Sequence, residues 1–387
     1  AKDNSFYKFC SEMIKSLENF SKNNKWCDCI LAPKDFDELI KTIDKKYIPV
    51  VVTPGSDVGV ELADRLAYHY KTEGANDPQT TQNRYDKYKV NLCLEKAGIR
   101  SIKTFKINKA GELDKIFEEL SFPCFFKPTN GAGSVDAKKI FNLQELKSVV
   151  DEFFSKPGNN LFDGALIQEL IVGEEYIVNF VAVGGKYYFD SMFVYLKAFT
   201  KKGVNKYLSI DYIVDYRKYK NLMDYSIEVM KAVGFRSGAA HIELMVDKEG
   251  PVLIEINNRI MGAHFSLEEN TYVTRMSHSE FLISKLLKTK PKTIDKTLNK
   301  YTSAVILSSD KTGTVKKSNI PEFCKKLESF NKILDDNVIV GKEIHEYKDI
   351  LDTICWVELA ANDKKQLLKD KAALLSAMEK GELWELQ

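Results

Sequence analysis

The sequence predicts a mixed α/β protein of more than one domain, and three observations carry that prediction. Up to about Asn83, helix-period and strand-period segments alternate, as they do in a parallel sheet with crossover helices. Next, an apolar strand at 124–126 delivers Lys127 into a glycine-rich run at 130–134. Finally, residues 238–264 read as a β-hairpin with one oily and one acidic face. A chain of 387 residues can bury one large core or several smaller ones.

In order, the N-terminal portion reads as helix 5–21, strand 27–32, helix 36–45, strand 48–53 and helix 58–70. The turn TPGSD at 53–57 then sits at the edge of a parallel sheet, where open sheets bind ligands. No GxGxxG appears, so dinucleotide binding is unsupported. Cys27 and Cys29 share one face of their strand and read as small core residues rather than metal ligands. Polar residues 72–83 read as a linker. A basic helix, RYDKYKVNLCLEKAG, stops at Gly98, and strand 101–107 and helix 112–120 follow.

A lysine that closes an apolar strand needs an anionic partner, and glycines let backbone N–H groups approach phosphate oxygens. Lys127 and its loop fit that pattern, with an exposed lysine beside a turn as the bland alternative. The segment is not a Walker loop, because its lysine precedes the glycines. After helix 142–155, a strand ends at Gln168 and Glu169 and runs through Leu170, Ile171 and Val172 to Gly173; Glu174 and Glu175 open the next strand. Exposed backbone beside apolar side chains can hold a purine, and a nearby carboxylate can accept from ribose; a plain strand-turn-strand with surface acids is the alternative. The aromatic-rich stretch 187–212 reads as core or as pocket lining, and helix 222–233 leads to the hairpin.

Within the hairpin, Ile242, Leu244 and Val246 alternate with His241, Glu243 and Met245, and Val252, Ile254 and Ile256 alternate with Leu253, Glu255 and Asn257. Setting Val246 opposite Val252 across a five-residue loop places Glu243 opposite Glu255 and His241 opposite Asn257, with Arg259 next along that face. Opposed carboxylates destabilise a sheet unless a proton, a basic side chain or a cation lies between them. Oxygen ligands suit Mg²⁺ or Mn²⁺ rather than zinc. The alternative is a merely solvated outer face. Beyond the hairpin come helix 278–287, a lysine-rich link at 288–300, the strand TSAVILSS and a long helix at 364–380. His69 and His345 read as surface groups, and no spacing supports His264 or His278 as ligands.

A net charge of +2 creates no field for nucleic acid or an anionic membrane, and no apolar run reaches the roughly 18 residues of a membrane span. Seven cysteines, an odd number with no CxxC pair, fit a reducing cytoplasm. The start has no signal-peptide core and no initiator Met, and reads as trimmed.

Taken together, Asp86-Lys87, then Phe126-Lys127-Pro128 with its glycine loop, then Gln168-Glu169 and Gly173-Glu174-Glu175, then His241-x-Glu243 and Glu255-x-Asn257-x-Arg259 form an order that resembles the ATP-grasp superfamily of carboxylate-amine ligases. Within it the chain looks like the L-amino-acid ligases, which join two amino acids into a dipeptide. PGSDVGVELADRL and KDKAALLSAMEKGELW are similar to segments of that group, so the resemblance spans nearly the whole chain. It implies an ATP-grasp fold with a Rossmann-like N-terminal domain at 1–82, an N-terminal lobe at 83–165, a C-terminal lobe with the metal site at 166–290, and a C-terminal subdomain at 291–387.

Carried over by position, the resemblance implies that Lys87 and Lys127 hold the α and β phosphates of ATP. Gly131, Ala132, Gly133 and Ser134 would close over the γ-phosphate, Glu169, Leu170 and Ile171 would surround adenine, and Glu175 would take the ribose. Glu243, Glu255 and Asn257 would bind a pair of Mg²⁺ or Mn²⁺ ions, and Arg259 would steady the carboxylate as it becomes an acyl phosphate. Asp57, His241 and Gly262 join Arg259 as implied substrate-binding residues. The implied partners are ATP and amino acids, with a homodimer by analogy.

The chain departs from the family in three places. The usual first strand is not evident before Ser5, Asp57 stands where Glu is expected, and no histidine occurs between Lys206 and Asp215. Other functions compatible with the sequence are an ATP-grasp ligase for a non-amino-acid acid or amine, a biotin-carboxylase-like enzyme, and a non-catalytic ATP sensor.

Overall fold

The computed structural model describes residues 35–129, 137–156, 163–200, 203–262, 277–289 and 301–387. The first described helix, Phe36–Asp44, starts where the Asp35 carboxylate accepts from Glu38 N at 2.9 Å. The helix Val60–His69 is entered through a tight turn at Asp57–Gly59. Residues 48–53, expected as a strand, make no ladder, and Ile48 and Val50 are 91% and 71% exposed. An apolar alternation becomes a strand only against a partner. The expected partner at 27–32 lies outside the described residues, as do helix 5–21, Cys27 and Cys29.

Residues 72–83 are not a loose linker. Asn76 and Thr81 are buried, and both bond to Asp64, at 3.0 and 2.7 Å. Arg84, fully buried, closes the cluster with Nη2 at 2.5 Å from Asp64 Oδ2. The basic helix is interrupted at Asp86, which ends Gln82–Tyr85 and caps Lys87–Lys96 by accepting from Tyr88 N and Lys89 N at 2.8 and 3.1 Å. Gly98, with φ +68°, stops it as expected. The segment expected as helix 112–120 forms two shorter 3₁₀ turns, Ala110–Lys115 and Phe117–Glu119.

Four strands, β1 (Thr104–Ile107), β2 (Cys124–Pro128), β3 (Lys138–Ile140) and β4 (Ala165–Glu169), form a sheet of order β1-β4-β2-β3. Helix Leu143–Ser155 covers it, burying Leu146, Val150 and Phe153 against Ile107, Phe126, Ile140 and Ile167. The chain then passes through 170–173 into β5 (Glu174–Val183), β6 (Lys186–Phe199), β7 (Asn205–Tyr212), β8 (Gly238–Asp247), β9 (Gly250–Asn257) and β10 (Tyr301–Ser308). The last strands are β11 (Gly313–Ser318), β12 (Phe330–Asp336), β13 (Glu343–Ile344), β14 (Thr353–Ala361) and β15 (Trp384–Leu386). They complete an eight-stranded sheet of order β12-β14-β10-β7-β6-β5-β8-β9 and a small sheet of order β13-β11-β15.

One face of the large sheet packs on helices Lys87–Lys96 and Lys220–Ala232 through Val90, Leu94, Leu222, Val229 and Met230. The other is floored by Ile177, Phe193, Tyr207, Ile210, Ala304, Ile306 and Trp356. Helix Lys364–Glu379 lies over the far end, burying Leu367 and Leu374 against Val305, Val357 and Leu359.

The β8–β9 hairpin pairs as expected where it matters and differs at its turn. Glu243 lies opposite Glu255 and His241 opposite Asn257. The connection, however, is the tight turn Asp247↔Gly250 rather than a five-residue loop, and a β-bulge between the Glu243 and Leu244 pairs restores the register. Leu253 therefore shares the core face with Leu244 and Ile256, whereas Val252 pairs with Met245. The turn is tight because Asp247 accepts from Glu249 N at 2.8 Å and is clamped by Arg100 at 2.9 and 2.7 Å.

Candidate active site

Strand pairing builds the site in rows. Glu255, Glu243, Ile177 and Phe193 lie side by side across β9, β8, β5 and β6, and Asn257, His241, Asn179 and Ser191 form the next row. Side chains of one parity share the face floored by Ile177 and Phe193, so the acids stand over an apolar base. This acidic face is not the solvated side of a hairpin, because His241 and Asn257 are buried.

Each acid in the row is partnered. Glu243 Oε1 accepts from the Tyr195 hydroxyl at 3.2 Å and lies 3.3 Å from His241 Nε2. Burial alone would raise this carboxyl, but the hydrogen bond and charge of His241, with Lys197 and Tyr195, hold it down at about 2. Glu255 faces the Lys87 ammonium at 2.9 Å. Glu175, buried, pairs with Lys197 at 2.5 Å, and Lys197 Nζ stands 4.4 and 4.0 Å from the Tyr195 and Tyr207 ring centroids. Burial acts to discharge Lys197, yet the nearby acids and the Tyr207 hydroxyl raise its pKa, Glu175 most strongly, and keep it protonated.

Lys127 is the exception. Among the described residues no carboxylate lies within ion-pair distance of it, and burial with the neighbouring Lys87 lowers its pKa to about 8 against the pull of Glu255, Glu243 and Glu175.

Arg259 Nε donates to Asp57 Oδ2 at 2.9 Å, so the N-terminal turn reaches the end of β9. Of the remaining expected site residues, Glu169 lies exposed at the end of β4, its carboxylate accepting from Lys103 N at 2.8 Å, and Leu170 and Ile171 follow half-buried in the connection to β5. Among the described residues a Cβ at Gly262 would meet Arg259 Nη1 alone, at 3.7 Å. Gly131, Ala132, Gly133 and Ser134 lie outside the described residues, as does His264.

Lys197, Tyr195 and Asn179 belong to the site and were not singled out from the sequence. The available signal was parity: 195 and 197 share one face of an aromatic strand, so a lysine there sits inside rather than out.

Among the described residues no cluster of three or more His, Cys, Asp and Glu side chains gathers for a metal ion. The donor set offered is the opposed carboxylates Glu243 and Glu255 with the Asn257 amide. Those are hard oxygen donors, and Glu255 already attracts a cation in the form of Lys87. They fit a hard divalent ion that completes its shell with ligand oxygens and water.

Residues 120–268 match the family model of the ATP-grasp domain. Dapdiamide A synthase of Enterobacter agglomerans is 27% identical over 361 residues, covering 86% of this chain and 80% of the relative. The crystal structure of an L-amino acid ligase from Bacillus licheniformis superposes with a TM-score of 0.69 at 17% identity, covering 90% of this chain and 86% of that one. Carboxyaminoimidazole ribonucleotide synthase of Aspergillus clavatus, complexed with ATP, superposes at 0.65 with 12% identity over 93% of this chain and 89% of that one. An opposed acid pair stands on one large antiparallel sheet, lysines reach it from a helix start and from a smaller sheet, and the family model is matched across both sheets, so the chain carries an ATP-grasp domain within an ATP-grasp fold.

Proposed function

We propose that this protein joins the carboxylate of one L-amino acid to the amine of another, with ATP converted to ADP and phosphate. The observation that carries the ATP part of the reading is Lys127, a cation drawn out of water beside Lys87 without a paired carboxylate among the described residues. A polyanion reverses the penalty on both lysines at once. In this reading Lys87 and Lys127 bind the α and β phosphates, Gly131, Ala132, Gly133 and Ser134 cover the γ-phosphate, and Glu169, Leu170 and Ile171 border adenine. Glu175 already holds Lys197, so a ribose hydroxyl accepted there leaves that ammonium shared between carboxylate and nucleotide.

Glu243, Glu255 and Asn257 are the residues to hold divalent Mg²⁺ or Mn²⁺. When bound, such an ion neutralises the triphosphate and aligns it for in-line attack. A carboxylate oxygen of the first amino acid attacks the γ-phosphorus, and the bond to the β,γ-bridging oxygen breaks to release ADP. The amine of the second amino acid then attacks the acyl carbon, phosphate leaves with the bonding pair, and the new amide nitrogen loses a proton. Arg259, freed from Asp57, pairs with the carboxylate and then with the developing oxyanion. His241 orients Glu243, and Gly262 leaves room beside Arg259. The likeness to dapdiamide A synthase over 86% of the chain supports a synthetic role over an ATP sensor.

The test is phosphate release from ATP and Mg²⁺ with the twenty common amino acids, singly and in pairs, with mass spectrometry of the products. Release that needs a pair and yields a dipeptide mass supports the reading. ATP binding without release for any pair would contradict it and point to a different acid or amine.

A further inference from the structure

Beyond the acid pair, the site face carries a second carboxylate system. A β-bulge between the pairs Asn179↔Ser191 and Phe180↔Phe189 leaves Asp190 as an extra residue in β6. Phe180 and Phe189 belong to the core on the helix side, and Asn179 and Ser191 to the row on the site face. Asp190 Oδ2 accepts from the Ser191 hydroxyl at 2.7 Å, and the charge of Asp190 reaches Tyr212, whose ring packs on Phe193 at 5.4 Å on the site face. The bulge thus turns the carboxylate toward the substrate side.

Five side chains then run in one line across three strands. Glu243 contacts His241 Nε2 at 3.3 Å, His241 Nδ1 meets Asn179 Oδ1 at 3.0 Å, Asn179 Nδ2 donates to Ser191 Oγ at 3.0 Å, and Ser191 donates to Asp190. The step along β5 from the Glu243 row to the Asn179 row is about 7 Å, and β6 lies two strand spacings, roughly 10 Å, across from β8, so Asp190 stands on the site face apart from the acid pair. Met261, two residues past Arg259, closes over the same row: its sulfur accepts from Asn179 at 3.3 Å and its backbone N donates to His278 Nδ1 at 3.3 Å.

His278 is the cation one would expect beside Asp190, and its bonds rule out that role. Nδ1 accepts from Met261 N, so Nε2 carries the hydrogen and donates it to Phe180 O at 3.0 Å. The ring is a neutral tautomer with both nitrogens spent, and burial lowers its pKa in the same direction. Among the described residues Asp190 has the Ser191 hydroxyl and no cationic partner within ion-pair distance. Burial raises its carboxyl against the hydrogen bond from Ser191, which is the sign of an acid short of a counter-charge.

We infer that Asp190 is a specificity-determining residue that binds the α-ammonium of the carboxyl-donating amino acid, with the Ser191 hydroxyl fixing it in place. The inference rests on the amino-acid ligase reading and names which amine is recognised. A carboxylate favours the protonated amine, so it suits the amino group that must not react; the attacking amine has to be neutral. Asp190 then takes the ammonium of the amino acid whose carboxylate the proposed function assigns to Arg259.

The experiment traps the activated carboxyl with hydroxylamine in place of the second substrate, in ATP and Mg²⁺, and measures hydroxamate. The acids offered are the twenty common L-amino acids and their counterparts lacking the α-amino group, such as propionate for alanine. Wild type is expected to favour the amino acid strongly. Asp190→Asn, which keeps an oxygen for the Ser191 hydroxyl, is expected to raise KM for the amino acid about 30-fold or more with kcat changed far less, as when one partner of a hydrogen-bonded charge pair is neutralised. Preference over the des-amino acid falls with it, and Asp190→Glu, which keeps the charge, recovers part of the loss. An unchanged KM in a folded Asp190→Asn protein, with wild type active on amino acids, overturns the role of Asp190 and leaves the ligase reading standing. Wild type that makes hydroxamate equally from des-amino acids, or none from any amino acid, overturns both.

Discussion

Lys127 and Glu255 are the single residues on which the proposed site depends most directly. Lys127 is a cation whose pKa burial and Lys87 bring down to about 8, so the ligand-free protein bears a penalty at that position. Lys127→Met keeps the length of the side chain and removes the charge. It is expected to weaken ATP binding while raising the stability of the ligand-free protein by about 1 kcal/mol, measured by calorimetric titration and by denaturant midpoint. Unchanged ATP affinity would mean the lysine serves another ligand. Glu255→Ala deletes one of the opposed acids and leaves Lys87 without its 2.9 Å partner. ATP turnover is expected to fall by at least about a hundredfold with the circular dichroism spectrum unchanged; full turnover would remove Glu255 from the site. Lys127 was legible as a lysine closing an apolar strand. Lys197 was not, because its meaning depends on Glu175, which lies on the neighbouring strand and more than twenty positions away in sequence.

Among the elements, the connection from β4 to β5 and the β8–β9 hairpin decide the geometry. Gly173 sits in that connection where a Cβ would come within 2.0 Å of the Val246 carbonyl oxygen, so the two strands can approach only around glycine. Gly173→Ala is expected to cost about 2 kcal/mol or more, seen as a lower melting temperature, because backbone rather than a movable side chain must yield. A melting temperature equal to wild type would show that the connection relaxes freely. The hairpin is instructive in the opposite way. Alternation of apolar and acidic residues placed Glu243 opposite Glu255, yet the loop that argument assumed is absent. A tight turn and a bulge at Ile254 reach the same pairing. Periodicity reports faces well and turns poorly, since a bulge changes which of Val252, Leu253 and Ile254 faces the core without disturbing the acids beyond it.

For the molecule as a whole, a buried polar cluster ties the N-terminal segment to the large sheet. Asp64, Asn76, Thr81 and Arg84 bond to one another; Asn76 also binds Ser237 O at 2.9 Å before β8, and Asn258 after β9 donates to Arg84 O at 2.6 Å. Asp64→Ala strands the fully buried Arg84 charge and is expected to destabilise the protein by about 3–5 kcal/mol in denaturant unfolding. These polar residues looked like a linker in sequence because burial of polar groups leaves no periodic signature, and the same holds for strand order in the large sheet. The apolar stretch at 48–53 misled in the reverse direction, its alternation suiting a strand that the described residues do not pair.

What the whole molecule is proposed to do is activate a carboxylate by phosphorylation, and isotope transfer tests that step most directly. With the productive amino-acid pair, the carboxyl donor is labelled with ¹⁸O in its carboxylate and the released phosphate is analysed by mass spectrometry. Attack of that carboxylate on the γ-phosphorus predicts one ¹⁸O in each inorganic phosphate formed alongside the amide. Unlabelled phosphate, or label found in AMP, would contradict the account.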